Sequence, residues 1–394
     1  MADSTKAGTS KKKRRVVKKE AEKKAPPVKP YRPTAPGSGK LIDEMKAVTQ
    51  DLVRVTPLNK VPPTVVVPTF FAGFNRATRV GGAPSRRIMI IHGPSGEGKS
   101  VFAAGLLTSA AIYGHIPLYV DAEHATDPDW WMKLNVPNWL PFYRPETYEE
   151  AYANINKAIM NFKKGKAAGT IDKNRHLVIV IDTINKLAPK EEIEKFGKET
   201  IKRGYPLRAM YNNRWLDVLT PICGVNDILF VVIAQERRDA TVEDGQYVKE
   251  YTKWKTKGGT GLKYDSSLVV RITESTALKE DIGGQKIEVG SGHKGFVIKN
   301  KVGFCHEGFT FYTISVDGGE NPVGFDYARE LADECKHMGL IVKEGQNFRL
   351  DDDGELRAEK GLKAIRMALR NDESLAKRML ERLRQMTLEG KLPE

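Results

Sequence analysis

The sequence predicts an α/β fold with a mostly parallel central sheet. Near-continuous apolar runs alternate with stretches of helical periodicity from about residue 80 onward, which is typical of parallel strands covered on both faces. A glycine-rich segment also lies between the first such run and the first helical stretch. The predicted strands cover residues 87–92, 117–121, 176–182, 228–234, 268–272 and 295–299, and the predicted helices include 101–107, 149–162 and 215–219.

The glycine-rich segment fits the pattern G-x-x-x-x-G-K-[ST], which wraps the phosphates of a nucleotide. It consists of Gly93, Pro94, Ser95, Gly96, Glu97, Gly98, Lys99 and Ser100, and Val101 continues into the helix. Glycines let backbone N–H groups turn toward phosphate oxygens, and a helix N-terminus adds a favourable dipole. We expect Lys99 to reach the β- and γ-phosphates and the Ser100 hydroxyl to ligate Mg²⁺. A chance glycine-rich turn, the alternative, does not account for the strand before it and the helix after it.

Carboxylates end two of the predicted strands. Asp182 closes the strand over 176–182, where a P-loop protein needs a carboxylate to hold the Mg²⁺ water shell; an ordinary strand-end cap is the alternative. Asp121 and Glu123 lie at the end of the strand over 117–121, where a carboxylate can orient and polarise the water that attacks the γ-phosphate. The residues alone leave that role open between Asp121 and Glu123.

Gln235 ends the strand over 228–234, and a neutral amide there can contact the γ-phosphate without adding repulsive charge. Residues 236–257 are predicted to form a flexible loop in which cations and aromatic side chains are interleaved, a composition suited to nucleic acid. Its cations and aromatic residues are Arg237, Arg238, Tyr247, Lys249, Tyr251, Lys253, Trp254, Lys255 and Lys257, followed by Gly258 and Gly259. A solvated charged loop is the alternative.

Most of the net positive charge lies at the start of the chain. Residues 1–40 carry 13 Lys/Arg against 3 Asp/Glu, whereas the net charge of the whole chain is +14. The block Lys11–Lys19 precedes several prolines, so we predict a disordered basic, Pro-rich tail. A solubilising tail, a non-specific contact with a phosphate backbone and a targeting signal all stay open as its role. Helical spacing of apolar residues over 41–54 then predicts a short amphipathic helix that packs on its own core or on a neighbouring subunit.

Composition also excludes some classes of protein. No run approaches the ~18 apolar residues of a membrane span, and no signal-peptide core is present. The three cysteines, Cys223, Cys305 and Cys335, are far apart and lack metal-type spacing, which predicts reduced thiols in an intracellular protein.

The last ~70 residues change in character, with a helix over 325–338, a short hairpin over 342–350 and two more helices. We therefore predict four regions: the tail over 1–40, a helix and linker for subunit packing over 41–75, the α/β core over 76–322, and a small C-terminal α/β lobe over 323–394.

Taken together, these motifs resemble those of RecA-type DNA recombinases over about residues 80–390. The matching segments are Asp121–Pro128 for the family's second motif, Val180–Thr183 with Leu187–Glu194 for its Walker B strand and the start of its first DNA loop, Thr256–Tyr264 for the end of its second DNA loop, Val297–Lys301 for its paired-lysine strand, and Met338–Ile341 with Arg370–Glu373 for its C-terminal domain.

The resemblance implies roles for individual residues. Glu123 becomes the water-activating base, and Asp127 and Trp130 lie beside the adenine. Gln235 becomes the switch between ATP and the DNA loop. Lys299 and Lys301, which would otherwise be interpreted as a solvated face, reach across a subunit boundary to the neighbour's triphosphate, as an arginine finger does. The DNA-binding residues that the two loops imply are Lys195, Lys198, Lys202, Arg203, Arg208, Arg237, Arg238, Lys249, Lys253, Trp254, Lys255, Lys257, Gly258 and Gly259.

Three features depart from the family pattern. Residues 195–206, where the first DNA loop is expected, are more basic and contain Pro206, and the second loop is longer and richer in lysine and aromatic residues. Residues 1–70 do not resemble the family's amino-terminal helix domain. The departures concern subunit packing and regulation rather than the ATP chemistry, and a divergent or viral recombinase fits them.

The resemblance therefore implies a RecA-like P-loop ATPase core and an ATP-dependent recombinase. ATP and Mg²⁺ are expected at the subunit interface of a helical homo-oligomeric filament on single-stranded DNA, which pairs that strand with homologous double-stranded DNA. No membrane partner is expected, and the expected location is the cytoplasm or a DNA-containing compartment. Two alternatives stay open: a hexameric helicase motor that shares the core, and a nucleotide-gated DNA-binding mediator without turnover, against which intact Lys99, Glu123 and Asp182 argue.

Overall fold

The computed structural model describes residues 43, 46–50, 60–61, 63–194, 207–238, 254–256, 261–316, 322–352 and 355–391. The chain divides into two units, residues 1–62 and residues 63–394. In the first unit, Asp43 and residues 46–49 are helical, which agrees with the helix predicted over 41–54 at the positions described. The tail predicted over 1–40 lies outside the described residues.

The second unit contains the strands and helices of an α/β fold. Its strands are β1 (Val66–Val67), β2 (Ala83–Pro84), β3 (Arg87–Gly93), β4 (Ile116–Asp121), β5 (Phe142–Tyr143), β6 (Leu177–Asp182), β7 (Ile228–Arg238), β8 (Trp254–Thr256), β9 (Leu268–Ile282), β10 (Gln285–Asn300), β11 (Glu307–Ile314), β12 (Gly324–Phe325), β13 (Ile341–Glu344), β14 (Asn347–Asp352) and β15 (Glu355–Lys360). Its helices are α1 (Ala72–Ala77), α2 (Lys99–Ile112), α3 (Pro128–Lys133), α4 (Tyr148–Ala168), α5 (Lys190–Glu194), α6 (Leu207–Val225), α7 (Gly261–Asp265), α8 (Tyr327–His337), α9 (Gly361–Asn371) and α10 (Glu373–Leu388), with a 3₁₀ turn at Ile184–Lys186.

Ten strands form one large sheet in the order β12-β11-β10-β9-β3-β7-β6-β4-β5, with β8 paired to β7. Strands β9, β3, β7, β6, β4 and β5 are parallel. Strands β10, β11 and β12 extend the sheet in antiparallel fashion. This topology confirms the predicted α/β class with a mostly parallel central sheet, and each strand that an apolar run predicted is present.

The apolar runs are unbroken because both faces of the sheet are buried. Side chains of a strand alternate between the two faces. In β3, Met89 and Ile91 therefore lie in one core and Ile88 and Ile90 lie in the other. Helix α2 covers the first core, and helices α4 and α6 cover the second. Full burial of each such side chain contributes about 1.5–3 kcal/mol, so this double core holds the carboxyl ends of the strands in place.

Two predicted segments differ from the structure. Residues 236–238, predicted as the start of a flexible loop, continue β7 and pair with β8, so the two ends of that segment form an antiparallel ladder. Strands β9 and β10 are 15 and 16 residues long, rather than the five residues predicted for each. Their outer halves are polar and largely exposed, so no apolar run revealed them.

The C-terminal lobe has its own small core. Strands β13, β14 and β15 form an antiparallel sheet, and its core contains Leu350 together with Leu331 of α8, Ile365 of α9 and Met379 of α10. The predicted hairpin and helices are present, but β15 was not predicted: its two apolar residues, Leu356 and Ala358, stand in a strongly charged segment of six residues. Ala72 of α1 also packs in this core. The predicted domain boundary at residue 323 stays a prediction.

Two findings bear on the class of protein. None of the helices in the described part of the chain combines the length and the apolar character needed to cross a bilayer. All three cysteines are free thiols, with Cys223 and Cys335 buried and Cys305 exposed.

A buried histidine at the amino-terminal edge of the sheet predicts a pH dependence of stability. His176 is 5% exposed, and its Nδ1 atom lies 2.8 Å from Ser85 Oγ. Burial and the neighbouring His115 lower the pKa of His176 from 6.5 to about 4. Because the unfolded chain then binds this proton first, the free energy of unfolding should fall by about 3 kcal/mol as the pH drops from about 6.5 to about 4.

Urea unfolding at several pH values between 7 and 4 measures this effect. The His176→Gln variant should lose about 3 kcal/mol of the decrease in the free energy of unfolding between these pH values, whereas a variant of the exposed His337 (His337→Gln) should keep the whole decrease. If the free energy of unfolding of His176→Gln fell as steeply with decreasing pH as that of the unaltered chain, groups other than His176 would cause the pH dependence.

Candidate functional site

The residues of the glycine-rich motif meet the predicted carboxylates at one cavity. It has a volume of about 240 Å³ and lies where β3, β6 and β7 end. In open α/β sheets, ligands bind outside the carboxyl ends of the strands. The cavity is lined by Ser95, Gly96, Gly98, Lys99, Ser100, Val101, Glu123, Asp182, Thr183, Ile233 and Gln235.

Backbone geometry explains two of the loop's glycines. Gly93 has φ +153°, and a Cβ atom there would lie 2.0 Å from the carbonyl oxygen of Ile272. Gly98 is the N-cap of α2 with φ +95°, and a Cβ atom there would lie 2.6 Å from Nδ1 of His293. Both conformations are costly for other residues, so the glycines let the loop pass close to β9 and β10.

The β9–β10 hairpin holds the loop through contacts that the motif did not predict. Ser275 Oγ donates to Glu97 Oε2 at 2.7 Å, and His293 Nδ1 lies 3.1 Å from the Glu97 carbonyl oxygen. The opposite ring nitrogen of His293 lies 3.1 Å from Thr313 Oγ1, and the ring stacks on Phe311. Burial lowers the pKa of His293, which favours a neutral ring. Glu97 is therefore engaged with the hairpin and does not line the cavity.

Lys99 places a mostly buried ammonium group at the cavity. The residue is 8% exposed, and its Nζ atom donates to the Pro94 carbonyl oxygen. Burial lowers the pKa of Lys99, and the carboxylates of Asp182, Glu236 and Glu123 act in the opposite direction. A cation in this position is suited to anionic phosphate oxygens.

Asp182 is a buried carboxylate with a destabilised charge. The residue is 4% exposed, and burial raises its pKa to about 6, although hydrogen bonds with Ser100 and Tyr119 act in the opposite direction. Tyr119 Oη donates to Asp182 Oδ2 at 3.1 Å. The nearby carboxylates of Glu123 and Asp121 raise the pKa further. A cation beside Asp182 would therefore stabilise its charged form.

The donor set at Ser100 and Asp182 fits Mg²⁺. Mg²⁺ prefers oxygen ligands and binds through one or two protein groups together with water and substrate phosphates. A hydroxyl group hydrogen-bonded to a buried carboxylate supplies two such oxygens. Among the residues that the structure describes, no group of three or more His, Cys, Asp and Glu could hold a metal ion.

The structure distinguishes the two carboxylates that follow β4. Asp121 has a side chain only 1% exposed, and its oxygens accept from Arg144 Nε at 3.0 Å and from the N–H groups of Ala125 and Thr126. Glu123 lines the cavity with a side chain 31% exposed. Asp121 therefore holds the turn over 121–126, and the geometry favours Glu123 for contact with water.

Gln235 lies between Glu123 and a residue that sequence reasoning missed. Its Nε2 atom lies 3.5 Å from Glu123 Oε1, and its backbone N–H donates to Asn185 Oδ1 at 3.2 Å. The Asn185 carbonyl oxygen accepts from Arg208 Nη1 at 3.0 Å, and Arg208 also pairs with Glu192 at 2.6 Å. Asn185 thus joins the start of the predicted second DNA loop to Arg208, which was predicted to bind DNA.

A buried ionic cluster follows Gln235 directly. Arg271 Nε and Nη2 donate to the Glu236 carboxylate at 2.8 and 3.1 Å, and His92 Nδ1 lies 2.6 Å from Glu236 Oε1. The Glu236 side chain is 0% exposed, so its assignment to a flexible loop was wrong. Burial acts to raise the pKa of Glu236, but the bonds to His92 and Arg271 outweigh it and lower the pKa. Burial lowers the pKa of His92.

The cluster connects three neighbouring strands at the base of the glycine-rich loop. His92 of β3 is in register with Ala234 of β7 and with Arg271 of β9. Since His92 precedes Gly93 and Glu236 follows Gln235, the cluster adjoins both the glycine-rich loop and Gln235.

Two residues predicted to lie beside the adenine are not among those that line the cavity. Asp127 caps α3, where its carboxylate accepts from the N–H groups of Asp129 and Trp130 at 2.8 and 3.2 Å. The Trp130 side chain is partly buried against the core. Their contact with a base stays a prediction.

The paired lysines at the end of β10 also lie outside the cavity lining. Lys299 Nζ donates to the carbonyl oxygens of Lys263 and Tyr264, the latter at 3.1 Å, and Lys301 Nζ donates to Tyr264 O at 3.4 Å. Burial lowers the pKa of Lys299. Within one chain both lysines thus contact the end of α7, and their contact with a neighbour's nucleotide stays a prediction.

Most of the predicted DNA-binding residues lie outside the described residues. These are Lys195, Lys198, Lys202, Arg203, Lys249, Lys253, Lys257, Gly258 and Gly259. In the ladder between β7 and β8, Arg237 is opposite Lys255 and Arg238 is opposite Trp254. The ladder begins one residue after Gln235.

Comparisons with known proteins agree with this arrangement. The family model for the RecA N-terminal domain matches residues 53–318. Protein RecA of Porphyromonas gingivalis is 29% identical over 331 residues, which cover 83% of this chain and 86% of that protein. Protein RecA of Chlorobium limicola is 28% identical over 312 residues, with 79% of each chain covered. Protein RecA of Thermus thermophilus is 28% identical over 363 residues, which cover 88% of this chain and 95% of that protein.

Proposed function

The chain belongs to the RecA family of recombinases, and on that premise we propose that it pairs homologous DNA as an ATP-dependent filament. Its substrate is ATP, its partners are single-stranded DNA and a homologous duplex, and its location is intracellular. The observation that carries the proposal is the convergence of Lys99, Ser100, Glu123, Asp182 and Gln235 at one cavity.

The cavity binds the triphosphate of ATP. The backbone of the Gly93–Gly98 loop and the Lys99 ammonium contact the phosphates. Ser100 and Asp182 would hold Mg²⁺, which when bound would supply positive charge to the phosphate oxygens. A second protomer completes the site with its Lys299 and Lys301, which do not line the cavity of their own chain.

Glu123 acts as the base for hydrolysis. Its carboxylate orients the attacking water and accepts its proton while the bond from the γ-phosphorus to ADP breaks. Gln235 contacts the γ-phosphate with its amide and transmits its presence to residues 236–257. The contacts from Gln235 to Glu123 and to Asn185 support this coupling, since one residue connects the hydrolytic site with both predicted DNA loops.

Electron microscopy with single-stranded DNA and a non-hydrolysable ATP analogue tests the assembly. We expect helical filaments, because a head-to-tail contact whose rotation does not close produces a helix. Closed six-membered rings would favour the helicase motor, and a lack of ordered assembly would favour a mediator protein.

Removal of the two lysines and the tryptophan at residues 253–255 should weaken DNA binding. For the triple variant Lys253→Ala, Trp254→Ala, Lys255→Ala, affinity for single-stranded DNA should fall at least about tenfold, because stacking contributes about 1–3 kcal/mol per base. A plot of the logarithm of the binding constant against the logarithm of the salt concentration should also become shallower. Its slope should decrease in magnitude by about 1.4, about 0.7 for each lost phosphate contact. Fluorescence anisotropy at several salt concentrations measures both values.

The double variant Lys163→Ala, Lys164→Ala serves as the control for this experiment. It removes two exposed lysines of α4 and should leave affinity and slope near those of the unaltered chain. If the triple variant bound DNA as tightly as this control, residues 253–255 would not contact the single-stranded DNA.

A further inference from the structure

Lys186 makes a contact that the motifs do not anticipate. Its Nζ atom lies 3.7 Å from Glu123 Oε1, the same oxygen that lies 3.5 Å from Gln235 Nε2. The Lys186 side chain is 50% exposed and that of Glu123 is 31% exposed. Two donors thus converge on one oxygen of the proposed base, and one of them carries a full charge on a long, half-exposed side chain.

The position of Lys186 relates this contact to the predicted DNA loops. Lys186 ends the 3₁₀ turn Ile184–Lys186, and α5 begins four residues later and ends at Glu194, where the first predicted loop starts. The preceding residue, Asn185, accepts hydrogen bonds from Gln235 and from Arg208. One dipeptide therefore contacts the proposed base, the proposed γ-phosphate sensor and a proposed DNA-binding arginine.

We propose that Lys186 is a positioning residue that restrains Glu123 until bound DNA draws its ammonium group away, an inference that rests on the proposed function. An ammonium at Oε1 competes with the attacking water for the oxygen that must accept its proton. DNA phosphates held at the adjacent loops compete for the same ammonium. DNA binding thereby releases the base, and hydrolysis becomes dependent on DNA.

The size of the effect follows from the exposure of the pair. A half-exposed ion pair contributes about 0.5–1 kcal/mol, which corresponds to a factor of about two to five in rate. We expect Lys186→Ala to raise the rate of ATP hydrolysis without DNA by that factor. The rate with saturating single-stranded DNA should stay within about twofold of the unaltered chain, so the stimulation by DNA should fall.

Steady-state ATPase assays on the full chain, with and without single-stranded DNA, give the two rates. The stimulation by DNA is the ratio of the rate with DNA to the rate without it. Lys186→Arg keeps the charge and should keep most of the stimulation. Lys294→Ala is the matched control, because Lys294 is 49% exposed and pairs with one carboxylate, that of Glu274; its stimulation should be unchanged. The double variant Glu123→Gln, Lys186→Ala should lose the additional hydrolysis, because that increase requires Glu123.

The outcomes separate the inference from the proposed function. A rise in the DNA-independent rate cannot come from a folding defect, which would lower both rates. An unchanged ratio in Lys186→Ala, or an equal decrease of both rates, would overturn the inference and leave the proposed function standing. If the unaltered chain hydrolysed no ATP even with DNA, the proposed function would fail and the inference with it.

Discussion

Glu123→Gln is expected to lower the rate of ATP hydrolysis by about 10²–10⁴-fold while ATP binding is retained. The amide cannot accept the proton of the attacking water, but it preserves the shape of the side chain at the cavity. Steady-state ATPase assays and equilibrium binding of a fluorescent ATP analogue measure the two quantities separately. DNA binding in the presence of ATP should persist in this variant, because only the step that ends the ATP-bound state is removed.

Asp121→Asn provides the comparison for this prediction. Asp121 is bonded to Arg144 and to the turn over 121–126, so its replacement should lower the free energy of unfolding rather than remove the base. If Glu123→Gln hydrolysed ATP at the unaltered rate, Glu123 would not be the base.

Arg271→Met is expected to lower the free energy of unfolding by about 3–5 kcal/mol. The substitution leaves the carboxylate of Glu236, which is 0% exposed, with only His92 beside it. Burial lowers the pKa of His92 and favours its neutral ring, and a buried charge that loses its charged partner is strongly destabilising. The double variant Arg271→Met, Glu236→Leu should recover most of the loss, because it removes both charges. Urea unfolding monitored by circular dichroism gives the free energies.

An exposed ion pair provides the contrast. Arg349 pairs with Glu344, and both side chains are about two-fifths exposed, so Arg349→Met should cost less than about 1 kcal/mol. If Arg271→Met lowered the free energy of unfolding no more than Arg349→Met does, the buried cluster would contribute little to stability.

The sequence predicted the part of the fold that depends on local pattern. The strands β3, β4, β6 and β7 are apolar because both of their faces are buried, and such runs are visible in one sequence. The glycine-rich motif located the cavity because its glycines, lysine and hydroxyl are adjacent along the chain. The carboxylates at the ends of β4 and β6 followed from the same topology.

Contacts between residues distant along the chain were not predictable. The bonds from Ser275 and His293 to Glu97 span 178 and 196 residues, and no spacing rule connects these positions. Glu236 was placed in a loop because it stands in a charged segment, whereas its partners Arg271 and His92 lie on neighbouring strands. The residues alone left Asp121 and Glu123 as alternatives; the position of Arg144, which donates to Asp121, agrees with the choice of Glu123 that the family resemblance implied.

The affinity for single-stranded DNA in three nucleotide states tests the coupling of ATP to DNA most directly. Fluorescence anisotropy would compare the protein alone, with ADP, and with a non-hydrolysable ATP analogue, all at one salt concentration. We predict binding at least about tenfold tighter with the ATP analogue than in the other two states, which is a coupling free energy of about 1.4 kcal/mol or more. Equal affinity in all three states would contradict the account.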